Sequence, residues 1–509
     1  MTETTLPNWL LRSAENFPHH LALQCDELRW SFAELDRQAT RLARQLATVG
    51  VQEGSRVTLL AANGPAYVAC VHALTLLGAI LVPLNTRLTL TELCWQVHDV
   101  RATLLINDIH FLARATEIVE TIPTLPQITL STENGSVFAQ RLYEKEISLR
   151  TETALGATQA IMYTSGTTGN PKGVIITYGM QWWNAVGSAL NLGHNADDCW
   201  LACLPFFHVG GLTILMKSVI YGISVIALEK FTPTSVNRAI RESGVTIISV
   251  VAVMLQRMLD ALDQERGEVR YPPTLRCVLL GGGPAPRPLL EDCARRGVPV
   301  AQTYGLTEAC SQAVTLAPAD ALRKIGSAGR PLMPVQLRIM GEDGPAAQGE
   351  PGVILLKGPS ITPGYADRPA QSCQVLHDGW LTTGDIGYLD EEGYLYVLDR
   401  RSDMIISGGE NVYPAEIEAV LLSHPAVTEA GVCGQADEQW GQVPLAFVHL
   451  REGHAVNPDE LLAYAAERLA HYKLPRAIYV VGALPRNSSG KLLRRELPRL
   501  LAHLDLPPA

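Results

Sequence analysis

The chain has 509 residues, of which 47% are hydrophobic and 18% are charged, and its formal net charge is -10 at pH 7. This length exceeds what one hydrophobic core usually organises, so we expect two or more domains. An acidic chain lacks the broad positive field that holds a polyanion, which argues against nucleic acid as a partner and favours a small-molecule enzyme.

The start of the chain and its cysteines favour a cytoplasmic protein. The segment MTETTLPNWLLRSAENFP lacks the basic region and the unbroken apolar core of a secretory signal. The ten cysteines are scattered without a CxxC pair, which predicts reduced, buried thiols and no disulfide framework.

The stretch between Arg56 and Arg87 contains no Asp, Glu, Lys or Arg, as a membrane span would. Residues 63–65 (Asn-Gly-Pro) interrupt it, however. The pattern therefore predicts a short strand (VTLLAA), a turn and a buried apolar helix from Tyr67 to Leu77, with no membrane span.

Residues 1–401 are expected to form a large N-terminal α/β domain. Short Val/Ile/Leu runs such as ATLLIND and LRCVLLGGG alternate with helical stretches, which is typical of largely parallel sheets with ligands at the carboxyl ends of the strands. We predict two α/β subdomains here. From about residue 324 to 398, Gly and Pro turns separate strands such as VQLRIM and GVILLKG, which predicts a small β-barrel-like subdomain.

A new pattern begins after LDRRSDMIISGGENVYP. It predicts a helix over residues 415–422 with one apolar face, and a later helix for which Asn457 is the N-cap and Pro458 the first residue. We expect residues 402–509 to form a smaller, mobile α+β domain.

The loop TSGTTGNPKG, from Thr164 to Gly173, holds three glycines, four hydroxyls and one lysine directly after an apolar strand. Such a loop can direct backbone N–H groups, hydroxyls and an ammonium at a polyphosphate, whereas a generic loop of this composition would be a polar surface turn. It is not a Walker A loop, because Pro171 stands where the second glycine is needed and Lys172 precedes Gly173. The alternative chemistry is nucleotidyl transfer, in which a carboxylate attacks the α-phosphate of ATP.

Five motifs, in this order, resemble those of the adenylate-forming superfamily of acyl-CoA synthetases, luciferases and peptide-synthetase adenylation domains. They are the loop, YGLTE (304–308), TGD (383–385), DRRSD (399–403) and NSSGKLLR (487–494). Within the superfamily, segments such as FHVGGLTILMKSVIYG and RRSDMIISGGENVYPAE most resemble the branch that ligates 2-succinylbenzoate to CoA for menaquinone synthesis. The resemblance covers nearly the whole chain. It implies an acid–thiol ligase that releases AMP and pyrophosphate.

The resemblance implies a role for each motif in binding ATP. Glu308 is expected to hold Mg²⁺, and Thr307 to contact the α-phosphate. The β- and γ-phosphates are expected at Thr164, Ser165, Gly166, Thr167, Thr168, Gly169 and Lys172. The nucleoside is expected at Gly281, Gly282, Gly283, Tyr304, Gly305, Asp385 and Arg400, where glycines allow close backbone approach, Tyr304 stacks on the base, and Asp385 accepts hydrogen bonds from the ribose.

The resemblance also implies two half-reactions. Lys491 is expected to bridge the substrate carboxylate and the α-phosphate while negative charge builds, and no general base is needed because the carboxylate is already ionised. The C-terminal domain then rotates about a hinge at Ser402, where many relatives carry Asp or Lys. This rotation brings Gly408 and Gly409 to the pantetheine of CoA, with Trp440 as a weaker CoA contact.

The spectator carboxylate of 2-succinylbenzoate requires a partner inside an apolar pocket. Lys217, inside LTILMKSVIYG, is the candidate. The resemblance implies that His208 lines the acid site, and Ser311 and Gln312 could add hydrogen bonds. The alternative is a lysine that snorkels from a core helix to solvent.

Four other functions stay open at this point. The acid could be another aromatic or a fatty acid, although a fatty acid would favour an apolar residue at position 217. The acceptor could be a carrier-protein thiol. A nucleotide-binding regulatory protein and a luciferase-like oxygenase are further alternatives. The sequence does not decide between a monomer and a homo-oligomer.

Overall fold

The structure is a computed structural model of the chain. It describes residues 4–140, 142–164, 171–265, 270–283, 285–400, 403–407, 410–437, 440–486 and 491–501. Within these residues, two large, mainly parallel sheets are followed by two smaller sheets. This arrangement confirms the fold class predicted from the sequence.

The first sheet has seven strands, of which the middle five run parallel and the two at the edges antiparallel. In spatial order they are Lys172–Thr177, Thr158–Thr164, Ile80–Pro83, Arg56–Leu60, Leu104–Asp108, Gln127–Glu133 and Ser136–Ala139.

The second sheet has nine strands with a parallel centre of six and antiparallel strands at both edges. In spatial order they are Arg330–Pro331, Ser311–Thr315, Val300–Leu306, Cys277–Leu280, Ile247–Val250, Cys199–Ala202, Ser224–Ala227, Leu21–Cys25 and Leu28–Ser31. A small two-stranded sheet pairs Thr5–Pro7 with Glu152–Ala154.

The third and fourth sheets have five strands each. The third is antiparallel throughout and matches the predicted β-rich subdomain; its strands are Gln336–Met340, Gly352–Lys357, Leu376–His377, Trp380–Leu389 and Leu395–Arg400. The fourth contains Ile405–Ser407, Glu410–Val412, Val427–Asp437, Gly441–Leu450 and Ala477–Val480, and it has an apolar core of its own. The predicted boundary between residues 401 and 402 lies outside the described residues.

Helices cover the sheets. The α-helices in the described residues are Trp9–Asn16, Phe32–Ala47, Pro65–Leu77, Leu90–Asp99, Leu112–Thr121, Tyr178–Leu192, Val209–Tyr221, Pro233–Glu242, Ala252–Asp263, Arg287–Arg296, Pro369–Val375, Pro414–Leu422, Pro458–Ala466 and Leu497–Leu500. Short 3-10 helices are Ile109–Phe111, Thr307–Ala309, Pro318–Asp320, His471–Lys473 and Arg494–Glu496.

The helix Pro65–Leu77 is buried on every side and shares one apolar core with strands of both large sheets. It confirms the predicted core segment and begins at Pro65 because a proline fits the first helical position, where no N–H bond is required. No helix in the described part of the chain is both long and apolar enough to cross a bilayer. All ten cysteines are free, and Cys373 is exposed, so the prediction that the thiols are buried is wrong for this residue.

Candidate active site

The two ends of the predicted phosphate loop lie opposite each other. Thr164 ends one strand of the first sheet and Lys172 begins the antiparallel neighbour, and the register pairs these two residues directly. Hydroxyl and ammonium groups are thus held at the rim of the loop. The predicted phosphate contacts between them, Ser165, Gly166, Thr167, Thr168 and Gly169, lie outside the described residues.

A strap of residues 362–366 ties the end of this loop to Glu308. On one side, the N–H of Ala366 donates to the carbonyl of Gly173 over 2.8 Å. On the other side, Tyr365 Oη donates to Glu308 Oε1 over 3.1 Å. Lys172 Nζ lies 5.1 Å from the centroid of the Tyr365 ring. The predicted phosphate lysine and the predicted metal ligand therefore share one neighbour, Tyr365, which the sequence analysis did not identify.

Burial and the neighbouring carboxylate of Glu308 raise the pKa of Tyr365, so its hydroxyl stays protonated and acts as a donor. Thr307 and Glu308 form a 3-10 turn at the end of the strand Val300–Leu306. Among the described residues, no three His, Cys, Asp or Glu side chains gather as a protein-only metal cluster. A single carboxylate beside a phosphate loop nevertheless suits Mg²⁺, which commonly binds through one or two carboxylates together with substrate phosphates and water.

The residues predicted to bind the nucleoside converge from three strands. Tyr304 Oη donates to Asp385 Oδ2 over 2.6 Å, and the N–H of Asp385 donates to Thr383 Oγ1 over 3.1 Å. Asp385 lies directly opposite Arg400 in the third sheet. Of Arg400 the structure describes the main chain, so the predicted role of its side chain stays a prediction.

Glycines allow main chains to approach closely at this site. A Cβ atom on Gly305 would lie 1.4 Å from the carbonyl oxygen of Ser311, which no side chain can tolerate. Gly281 directly follows the strand Cys277–Leu280, and a Cβ atom on Gly281 would lie 2.8 Å from Thr303 Cγ2. Gly282 follows with a φ of 81°, in the left-handed region, and Gly283 has open space around its Cα.

The predicted acid-binding residues Lys217 and Gln312 come together from two elements. Lys217 lies in the helix Val209–Tyr221, is only 3% exposed, and its Nζ donates to Gln312 Oε1 over 2.5 Å. Its Nζ also lies 5.2 Å from the centroid of the Trp200 ring. The alternative of a lysine that snorkels to solvent is therefore wrong.

Burial lowers the pKa of Lys217 to about 7, an effect that the nearby thiols of Cys310 and Cys277 partly oppose. The main chain of Gln312 is held in position, because its main-chain carbonyl oxygen accepts from Asn184 Nδ2 over 2.7 Å. Ser311, half-buried just before it, has a φ of 83° and opens the strand that carries Gln312.

His208 is the N-cap residue of the helix that carries Lys217. Burial, together with the charge of Arg87, lowers its pKa to about 4, so the imidazole is neutral at pH 7. Its Nε2 is buried and has no hydrogen-bond partner among the described residues. Most buried polar atoms have a hydrogen-bond partner, so this nitrogen is available to a polar group that enters the predicted acid site.

The predicted CoA and hinge residues are described only in part. Ser402, Gly408 and Gly409 lie outside the described residues. Trp440 is 46% exposed, and its main-chain N–H donates to Asp437 Oδ1 over 2.9 Å, so its ring is accessible to a ligand. Lys491 lies at the start of a described segment that leads into the 3-10 helix Arg494–Glu496.

Comparison with known proteins identifies the relatives of this chain. The AMP-binding enzyme family matches residues 10–366, and the AMP-binding enzyme C-terminal domain matches residues 416–491. A 2-succinylbenzoate–CoA ligase of Geobacillus kaustophilus is 53% identical over 98% of both chains.

Solved structures agree with this relationship. The o-succinylbenzoate CoA synthetase of Bacillus subtilis, in complex with the acyl-adenylate intermediate, is 44% identical and gives a TM-score of 0.89 over 97% of this chain and 98% of that chain. A double mutant of the same enzyme, bound to a product analogue, is 44% identical. Its TM-score is 0.74 over 97% of this chain and 99% of that chain. The chain therefore belongs to the AMP-binding enzyme family, which confirms its predicted place among the adenylate-forming enzymes.

Proposed function

We propose that this chain catalyses the ATP-dependent ligation of 2-succinylbenzoate to CoA, a step of menaquinone synthesis. The reaction runs through an acyl adenylate and releases pyrophosphate and then AMP. The observation that carries this choice of acid is the buried Lys217–Gln312 pair. A diacid places a second, unreactive carboxylate in the pocket, and a cation there offsets the cost of burying that charge. The 53% identity to a ligase for this acid supports the same substrate.

In the first half-reaction, the acid carboxylate attacks the α-phosphate and pyrophosphate leaves. The leaving phosphates are bound by Thr164, Lys172 and the loop between them, and the α-phosphate is contacted by Thr307. Glu308, oriented by the Tyr365 hydroxyl, would hold Mg²⁺, and the bound ion supplies neutralising charge at the phosphates. Lys491 bridges the attacking and receiving groups. The chain thus contributes positioning and charge, and it needs no general base.

The adenosine part of ATP is held where Asp385 and Arg400 lie opposite each other in the third sheet. Asp385, already aligned by Tyr304 and Thr383, accepts hydrogen bonds from the ribose hydroxyls, and Arg400 opposite it adds a cation. Gly281, Gly282, Gly283 and Gly305 let the main chain approach the base. The Tyr304 hydroxyl thus orients the Asp385 carboxylate that would bind the ribose.

In the second half-reaction, the thiol of CoA attacks the acyl adenylate and AMP leaves. We assign residues 1–401 to the domain that binds ATP and the acid, and residues 402–509 to the domain that rotates about Ser402. Gly408, Gly409 and Trp440 then contact CoA. Because ATP and CoA are its substrates, we place the enzyme in the cytoplasm.

The substrate assignment is tested by product analysis. Purified protein with ATP, Mg²⁺ and CoA should form 2-succinylbenzoyl-CoA, detected by mass spectrometry, with at least about 100-fold higher kcat/KM than for benzoate or octanoate, because only the diacid supplies the second carboxylate. A preference for octanoate would contradict the proposal. If the adenylate forms but its acyl group is transferred only to a carrier protein, the acceptor is a protein thiol and the proposed use of CoA is wrong.

The pH dependence of acid binding should follow Lys217. The pKa of this lysine is about 7 without ligand, so it is charged below pH 7 and becomes neutral as the pH rises. The second carboxylate stays ionised throughout this range and binds the charged form. KM for 2-succinylbenzoate should therefore rise above pH 7, by up to about tenfold per pH unit, and the Lys217→Met variant should show a flat profile. A flat wild-type profile between pH 6 and 9 would remove Lys217 from this role.

A further inference from the structure

Arg494, three residues after Lys491, binds three carboxylates at once. Its Nε and Nη2 donate to the two oxygens of Glu418 over 2.8 and 2.7 Å. Its Nη1 donates to Asp399 Oδ1 over 2.6 Å and to Asp403 Oδ2 over 3.1 Å. The guanidinium therefore makes a bidentate bond with Glu418, and its Nη1 bridges Asp399 and Asp403.

This cluster is largely withdrawn from water. Asp399 and Glu418 are each 7% exposed, and each accepts one further main-chain bond, from Ala415 N over 2.8 Å and from Val432 N over 2.9 Å respectively. The surrounding carboxylates outweigh burial and raise the pKa of Arg494, which stays charged. Arg494 is the cation that these three carboxylates share, so its removal would leave buried carboxylates without that counter-charge.

The three carboxylates lie on different sides of the proposed hinge. Asp399 precedes Ser402, whereas Asp403 and Glu418 follow it. Asp399 also pairs with Ile386 in the third sheet, one position from the pair of Asp385 and Arg400. Through Arg494, the segment that carries Lys491 is therefore connected to the strand that carries the proposed ribose contacts.

We propose that Arg494 is a positioning residue, which holds Lys491 at the adenylation site through its bond to Asp399. Glu418 and Asp403 rotate together with Arg494, so their bonds serve both half-reactions. The bonds that Asp399 accepts from Arg494 and from Ala415 N both cross the hinge, and we assign them to adenylation alone. This inference depends on the proposed function, because it assumes that Lys491 acts in the first half-reaction and that the chain rotates near Ser402.

The test compares charge removal on the two sides of the hinge. Asp399→Asn should slow adenylation, measured as pyrophosphate release with ATP and 2-succinylbenzoate, by about 10- to 100-fold. Thioester formation from synthetic acyl adenylate and CoA should stay within about twofold of wild type, because that step does not use the bond across the hinge. The second measurement also shows that the variant is folded.

Glu418→Gln is the matched control on the same guanidinium. It should slow both half-reactions or lower Tm, since this bond lies within the C-terminal domain. Equal loss of both half-reactions in Asp399→Asn, or no loss in either, would overturn the inference. If Lys491→Ala fails to separate the half-reactions, the assignment of Lys491 to adenylation in the proposed function fails, and this inference fails with it. If Lys491→Ala separates them and Asp399→Asn does not, only the role of Arg494 is lost.

Discussion

Replacing Lys491 with alanine should reduce acyl-adenylate formation by about 100- to 1,000-fold or more, because the reaction loses a cation that is placed where negative charge develops. The same variant should convert preformed 2-succinylbenzoyl adenylate and CoA to the thioester at close to the wild-type rate, since Lys491 has left the site by then. Pyrophosphate release measures the first step, and chromatography of the thioester measures the second.

Arg495→Ala is the control for this experiment. Arg495 belongs to the same segment, and its side chain is 59% exposed beside Glu496. Removing an exposed cation of this kind should leave both half-reactions close to wild type. Loss of both half-reactions in Lys491→Ala would mean that the lysine stabilises the C-terminal domain. The variant would then give no evidence that this domain rotates between the half-reactions.

Lys217→Met should lower kcat/KM for 2-succinylbenzoate by about 30- to 1,000-fold, because methionine keeps the length of the side chain while the second carboxylate is left buried without a counter-charge. The effect should appear mainly in KM, since this carboxylate does not react. The kcat/KM for benzoate, which has no second carboxylate, should stay the same or rise. Steady-state kinetics with both acids at saturating ATP measure this difference.

Lys230→Met provides the matched control, since the side chain of Lys230 is 83% exposed and the same substitution there removes a solvated charge. Its kinetics with both acids should be unchanged. If Lys217→Met loses benzoate and 2-succinylbenzoate activity equally, Lys217 supports the fold of the acid pocket and does not select the acid.

Local patterns in the sequence were sufficient to predict the fold class. The apolar helix after residue 63 could be predicted because an Asn-Gly-Pro turn precedes an unbroken apolar run. The later helix begins as predicted, since the Asn457 side chain accepts from Asp459 N over 3.1 Å and Pro458 takes the first position. Such signals act over a few residues, so composition and spacing reveal them.

The candidate site could be predicted only in part. The resemblance gave Glu308 and Asp385 their expected roles, and the need for a buried cation gave Lys217 its role. The structure brings Asp385 to Tyr304 and Lys217 to Gln312. These partners are 81 and 95 residues apart in sequence, and no periodicity reports contacts at that separation. Whether each residue performs its predicted role stays a prediction.

Tyr365 and Arg494 show what sequence analysis misses. Tyr365 lies outside the recognised motifs, and it meets Glu308 because the strap pairs with the first sheet at Val174. Arg494 belongs to a recognised motif, but its acceptors lie in two other segments, the DRRSD motif and the helix Pro414–Leu422, more than 70 residues away. The signal for both is tertiary packing, which a single sequence does not display.

The tight turn between Gly305 and Ser311 has a consequence for changing the choice of acid. Glu308, the proposed Mg²⁺ ligand, and Gln312, in the proposed acid pocket, are four residues apart in one hairpin, and Gly305 packs directly against the Ser311 carbonyl. A substitution that displaces this hairpin shifts both binding sites, so their effects do not add independently. We therefore expect redesign through position 312 to change ATP affinity as well, and redesign through position 217 to be coupled to the same hairpin through the bond from Lys217 Nζ to Gln312 Oε1.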